Sequence, residues 1–263
     1  MEDSYTLTFF YMAQAYTKLE LPGLAAEHCG MTLKRQFERK KYETGEMVAN
    51  LTGLADYYQG SKHFAQCQYI HLLALRLAPE GEAGKQARAG VHMALGNLLA
   101  EVLEFGAQRI SNQDVEPADD VLVGKEVITF EEGGPFPKMS LPTNIEECKS
   151  FFRQANTQFK KALEHFVLDG YVTEHVDILF GQSRLYKALG MLEKSGERRV
   201  AMLEKRRELL EPLLKELNPK AFPGTCQRIL VEVSEVINDQ FNLRVALLGA
   251  KGAPSDDKVK ASY

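Results

Sequence analysis

The chain has 263 residues, 44% of them apolar and 26% charged, and a net charge of −4. A chain of this length and composition can bury a substantial core without staples. The slight acidic balance removes the general basic field that nucleic-acid binding draws on.

Helical spacing dominates and strand alternation is nearly missing, which predicts an all-α fold. From Thr6 to Leu19, the residues Phe9, Met12, Ala13 and Tyr16 line one face. Pro22 and Gly23 interrupt, and a second helix is expected over about Leu24–Phe37. A third is expected over Met47–Tyr58 and a fourth over His63–Leu77, closed by Pro79 and Gly81. A fifth, over Gly84–Ile110, carries the stripe Val91, Leu95, Leu98, Val102 and Phe105. Residues 111–142 then shift to four prolines, a Gly133-Gly134 pair and an acidic excess. They read as a linker or mobile loop, with a short strand or hairpin in "VLVGKEVITF". Helices resume over Ile145–Leu168, Thr173–Leu192, Gly196–Leu217 and Pro223–Leu248, with Pro212 expected to kink or break the third of these. The organisation expected is N-terminal helical repeats over 1–110, the 111–142 linker, C-terminal helical repeats over 143–249 and a flexible tail over 250–263.

Two stretches superimpose. Phe9-x-x-Met12-Ala13-x-x-Tyr16 is followed by Ala25-x-x-x-Cys29, and Leu51-x-x-Leu54-Ala55-x-x-Tyr58 by Ala65-x-x-x-Tyr69. This is the tetratricopeptide arrangement: large, small and aromatic groups on helix A, then a small residue on helix B at the crossing point. Backbones can approach closely only where side chains are small. Tyr186-x-x-Leu189-Gly190 supplies part of a third copy. The expected architecture is a solenoid of antiparallel helix pairs in a right-handed superhelix, whose A helices line a concave groove. Positions beside the core residues of those helices nominate Gln14, Thr17, Lys18, Asp56, Gln59, Arg184 and Lys187 as partner-binding residues.

Chemistry finds little support. His175 and Asp177 are two apart on a predicted helix and point to different faces, so His175 is read as fixing the junction after Gly170. The sequence holds no H-E-x-x-H, P-loop or G-x-G-x-x-G. Cys29, Cys67, Cys148 and Cys226 stand apart, at neither zinc nor disulfide-framework spacing, so no metal or cofactor is expected. The basic clusters at Lys34–Lys41 and Arg198–Arg207 are interleaved with glutamates and read as solvated helix faces. No apolar run reaches the ~18 residues of a membrane span. "MEDSYTLTFF" lacks the regions of a signal peptide, so a cytoplasmic protein is expected.

The stretch "GYVTEHVDILFGQSRLYKALGMLEKSGERRVAMLEKRRELLEPLLKELNP", with "YMAQAYTKL" and "CGMTLKRQFE" earlier, resembles the kinesin-binding protein (KIF-binding protein) family. The similarity is densest over residues 162–222 and poor around 111–142. The resemblance implies a tetratricopeptide-type adaptor without catalysis. It would clasp kinesin motor domains, block their attachment to microtubules, and so affect axonal transport and microtubule organisation at the cytoskeleton. It also implies further helices before and after the region covered here, so the array is expected to be short at both ends. The alternative is a generic tetratricopeptide-type adaptor for peptides, such as chaperone-linked ones, without kinesin activity.

Overall fold

The structure, a computed structural model, describes residues 2–113 and 128–252. Every regular element among them is helical: α1 (Glu2–Lys18), α2 (Pro22–Arg39), α3 (Thr44–Gly60), α4 (Phe64–Leu77), α5 (Lys85–Ser111), α6 (Ile145–Leu163), α7 (Val172–Leu192), α8 (Gly196–Leu210), α9 (Leu213–Glu216) and α10 (Pro223–Gly252). Short 3-10 turns lie at Glu82–Gly84 and Glu131–Gly133. The described residues up to Ile178 form one compact unit and those from Leu179 a second, so the division falls inside α7 and not in the segment 111–142.

Local chemistry sets the helix ends. Pro22 opens α2, where its fixed φ suits the first turn and its missing N–H is not needed. The Glu43 carboxylate accepts from the Glu46 N–H at the start of α3, at 2.7 Å. Asn144 caps α6 by accepting from the Glu147 N–H at 3.0 Å, while the Glu147 carboxylate accepts from the Thr143 N–H at 2.8 Å. Pro212 breaks the helix expected over 196–217 into α8 and α9, because proline cannot donate to the turn before it. The helix expected to reach Leu168 stops at Leu163. There His165, Phe166 and Tyr171 cluster, with ring centroids 4.8 to 5.3 Å apart, and His175 Nδ1 donates to the Phe166 carbonyl at 2.9 Å. His175 thus sits at the junction as its position suggested.

In the first unit the hairpins α1–α2, α3–α4 and α5–α6 follow one another in chain order, with α2 against α3 and α4 against α5. This is the helical-repeat stacking that the Tyr16 and Tyr58 motifs predict. Leu51, Leu54, Ala55 and Tyr58 are buried, and so are Ala65 and Tyr69 on α4. In the first copy Tyr16 is half-buried against the His28 ring, with centroids 5.0 Å apart, and on α2 Ala26, one position after the half-buried Ala25, is buried. The tightest crossing lies between α5 and α6, where a Cβ on Gly96 would come within 2.6 Å of the Phe159 ring.

The second half of the segment read as a linker is packed against this unit. Phe130 and Leu141 are buried, and Tyr69 stacks on Phe136 with centroids 5.3 Å apart. Residues 114–127, with most of the suggested strand and the first acids of the segment, lie outside the described residues, as does the tail from 253. Residues 128–130 are described and form no strand.

In the second unit α8 and α9 pack on α10 through Leu210, Leu213, Ile229, Val233 and Val236. Arg206 is buried on α8, donating to Ser183 of α7 at 3.2 Å and pairing with Glu232 of α10. A second apolar stripe on α10, including Leu230, Ile237, Phe241 and Leu248, is exposed.

Two expectations follow. Gly96→Ala should lower stability by about 1–3 kcal/mol through overpacking against Phe159, read from the urea midpoint. His71 is fully buried, and neither ring nitrogen has a hydrogen-bond partner among the described residues. Burial holds its pKa down to about 4. Above the ordinary value near 6.5, neither folded nor unfolded chain is protonated and His71 has no effect. As pH falls from about 6.5 to about 4, the unfolded chain takes up a proton that the folded chain refuses, so stability is lost across that window. Between pH 7.5 and 5 the loss should be on the order of 2 kcal/mol, at ~1.4 kcal/mol per pH unit below ~6.5. His71→Leu should remove that part of the pH dependence in paired urea titrations.

Candidate functional site

The A helices of the first unit, α1, α3 and α5, carry two adjoining hollows. One, of about 750 Å³, is lined by α1, α2 and α3, with Phe10, Ala13, Gln14, Asn50 and Tyr57 among its walls. The other, of about 850 Å³, lies between α3 and α5, with Val48, Asp56, Ala94 and Asn97 around it. Ala49 and Gly53 line both, so the hollows join over the face of α3 into one trough. Gly45, Ala49 and Gly53 recur every fourth residue, which puts them on one side of α3 and keeps the floor low.

Two glycines of this trough, Gly53 and Gly90, have no packing reason to be glycines. A Cβ built on Gly53 or on Gly90 of α5 would meet no atom within 4 Å, and neither residue has a positive φ. Glycine inside a helix costs about 0.5–1 kcal/mol relative to alanine. At Gly96 the fold repays that cost by close contact, whereas at Gly53 and Gly90 the space stays open toward the trough. Such a floor admits the close approach of another backbone or of bulky side chains.

The sequence-nominated residues divide between places. Gln14, Thr17, Asp56 and Gln59 line the trough. Thr17 donates its hydroxyl to the Ala13 carbonyl at 2.9 Å. Gln59 Nε2 donates to the Glu101 carboxylate at 2.7 Å, and Lys62 pairs with the same carboxylate. Partial desolvation between α3 and α5 pushes the Asp56 carboxyl up from its ordinary value. Lys18 is exposed at the last turn of α1. Arg184 and Lys187 belong to the second unit, where Lys187 lines a hollow of about 420 Å³ with Tyr186, Met191, Met202 and Asp239. Sequence reasoning missed Phe10, Asn50, Tyr57, Asn97 and the glycine floor. The four-residue spacing of small residues on α3 is a legible signal for the floor.

The trough offers shape and polar contacts. Cys29, on its α2 wall, has its thiol pushed up by burial, the opposite of an activated nucleophile. Among the described residues no group of three His, Cys, Asp or Glu could hold a metal ion, and no helix is long and apolar enough to cross a membrane.

Stacked helix hairpins with an open trough along their A helices define a helical-repeat protein of the tetratricopeptide-like class. The chain belongs to the family described as "KIF-1 binding protein C terminal", whose model matches residues 92–262. It is 26% identical to the KIF-binding protein of Danio rerio, and also to that of Homo sapiens, in each case over 98% of this chain and 48% of the relative. With the KIF-binding protein of Dictyostelium discoideum it shares 22% identity, over 88% of this chain and 49% of the relative. The chain thus spans about half the length of the curated relatives it matches. No solved structure matches it.

Because the space above both glycines is open, Gly53→Ala and Gly90→Ala should each stabilise the protein by about 0.5–1 kcal/mol through helix propensity. Thermal unfolding checks this; a fall in midpoint would mean that the floor is already occupied by the fold.

Proposed function

We propose that this chain binds the motor domains of kinesins and keeps them off microtubules, and thereby regulates axonal transport and microtubule organisation in the cytoplasm at the cytoskeleton. The observation that carries the reading is the continuous trough over Ala49 and Gly53, in a chain whose relatives are named for binding KIF proteins. A trough with an apolar floor and an open top suits a protein surface better than a small molecule, which is normally enclosed. Tubulin is acidic, so the microtubule-binding face of a motor is basic. Glu46 and Asp56 place acids along the trough, complementary to such a face. Exposed charges of this kind chiefly raise the association rate, and salt screens them. The resting position of the motor would then be set by what fills the floor.

Co-sedimentation tests the reading. A kinesin motor domain is pelleted with microtubules while this protein is added to micromolar concentration, and the motor should move into the supernatant. Gly53→Leu, which fills the floor from a position with free space around it, should remain folded and weaken the release by roughly tenfold or more, ~1.4 kcal/mol. A motor that stays in the pellet with folded wild-type protein would refute the proposal.

A further inference from the structure

Away from the floor of the trough, residues 128–136 lie across α2 and α4 as a bound peptide would. The contacts are made largely to their backbone. Gln66 Nε2 donates to the Ile128 carbonyl at 2.7 Å. The Tyr69 hydroxyl donates to the Phe130 carbonyl at 3.0 Å and accepts from the Phe130 N–H at 2.8 Å. Arg76 donates to the Gly133 carbonyl. Gln66, Tyr69 and Arg76 occupy one side of α4, three and seven residues apart, so a single helix face reads six successive residues of an extended chain.

Two notches select side chains. Ile128 fills the space above Gly30 of α2, where a Cβ would stand 2.3 Å from its Cδ1. Phe130 is buried edge-on against Phe37, with centroids 5.2 Å apart. At the third point no side chain fits, because a Cβ on Gly133 would lie 1.9 Å from the Tyr69 hydroxyl. The polar capacity of the groove is not used up either. Gln66 is fully buried, and its Oε1 has no partner among the described residues while its Nε2 holds Ile128.

We propose that the α2–α4 face is a docking groove for extended protein segments carrying an aliphatic residue, an aromatic residue two positions on and a glycine three beyond that. In the free protein the chain's own residues 128–136 occupy it. Hydrogen bonds to backbone amides do not distinguish one chain from another, so a segment of that pattern from another protein meets the same groove. A segment that also offers an N–H to Gln66 Oε1 makes a contact the resident one leaves unmade. The resident segment is tethered, which gives it an effective concentration in the millimolar range. A competitor therefore binds weakly until the tethered segment is weakened.

The test uses a fluorescein-labelled peptide ITFEEGGPFPK, residues 128–138, and the full chain. Fluorescence anisotropy should show binding to Ile128→Ala/Phe130→Ala at least tenfold tighter than to wild type. Adding Tyr69→Phe to that variant, which removes both bonds to residue 130, should cost roughly tenfold or more in affinity. A scrambled peptide should not bind. Gly133→Ala, whose added carbon collides with the Tyr69 hydroxyl while the apolar anchors stay, serves if the double variant does not fold. For whichever variant is made, the peptide should also raise its unfolding midpoint. The proposal is overturned if neither variant binds the peptide or is stabilised by it, or if binding is indifferent to Tyr69→Phe.

Discussion

Two helices approach closely only where one of them presents a small side chain or none, and the first unit depends on that constraint most heavily at Gly96. The Phe159 ring occupies the volume that a Cβ on Gly96 would claim. Seating α6 there fixes the rotation of α5, since a helix that buries one face must turn the others elsewhere. With Gly96 against α6, the residues Ala87, Gly90 and Ala94 of α5 are left facing α3 and form one wall of the trough. Next to Gly96, His92 shares a hydrogen bond with Gln158 of α6 at 2.7 Å, which holds the same register with a polar contact. The groove is therefore a consequence of how α5 is docked on its far side.

Glycine has two opposite meanings on this one helix. Gly90 and Gly96 are six residues apart, which rotates them by about 240° around the axis. One is required by a neighbour and the other is met by nothing. Gly53 on α3 repeats the second case. Gly53 and Gly90, each met by no atom of the fold, lie in the same trough that Asp56 and Gln59 border. The ties of Gln59 and Lys62 to Glu101 hold α3 and its C-terminal turn to α5, so this rim is a preorganised surface. Less side-chain entropy then remains to be lost on binding.

Much of this was legible in the residues because helical spacing is a strong signal. The helices appear where apolar periodicity places them, and the Tyr58 copy of the repeat is core throughout. The Tyr16 copy is only half-buried for a local reason: α3 is covered by α2, α4 and α5, whereas α1 packs chiefly on α2. The trough was legible in part. Core periodicity identifies the sides of α1 and α3 that face away from the core, and so finds Gln14 and Asp56. It says nothing of cavities framed between neighbouring helices, which is why Tyr57 and Asn97 escaped. The packing of residues 128–142, the later part of the segment 111–142, was not legible because prolines, glycines and acids dominate the composition of that segment. Among them Phe130 is buried and Ile128 half-buried, and the partners that hold their backbone lie some sixty residues earlier on α4. Contacts of that sequence separation leave no local trace.

The second unit solves the same assembly problem with charge. Arg206 is buried between α7 and α10, bonded to Ser183 and paired with Glu232. Beside it, Glu204 accepts from Gln240 and lies within ion-pair distance of Arg207 and Arg244. Burying a guanidinium carries a desolvation cost that its partners only partly offset, so the network contributes little net stability compared with apolar packing. It does carry geometric information that leucines lack. Sliding α10 by one turn would still bury apolar residues, because its face toward α8 repeats Ile229, Val233 and Val236 at helical spacing. A slip of four residues would put Arg228 or Val236 where Glu232 stands and leave Arg206 buried without its partner, at a cost of several kcal/mol. The Arg206–Glu232 pair thus adds a polar marker of register to a helix with apolar groups on more than one side.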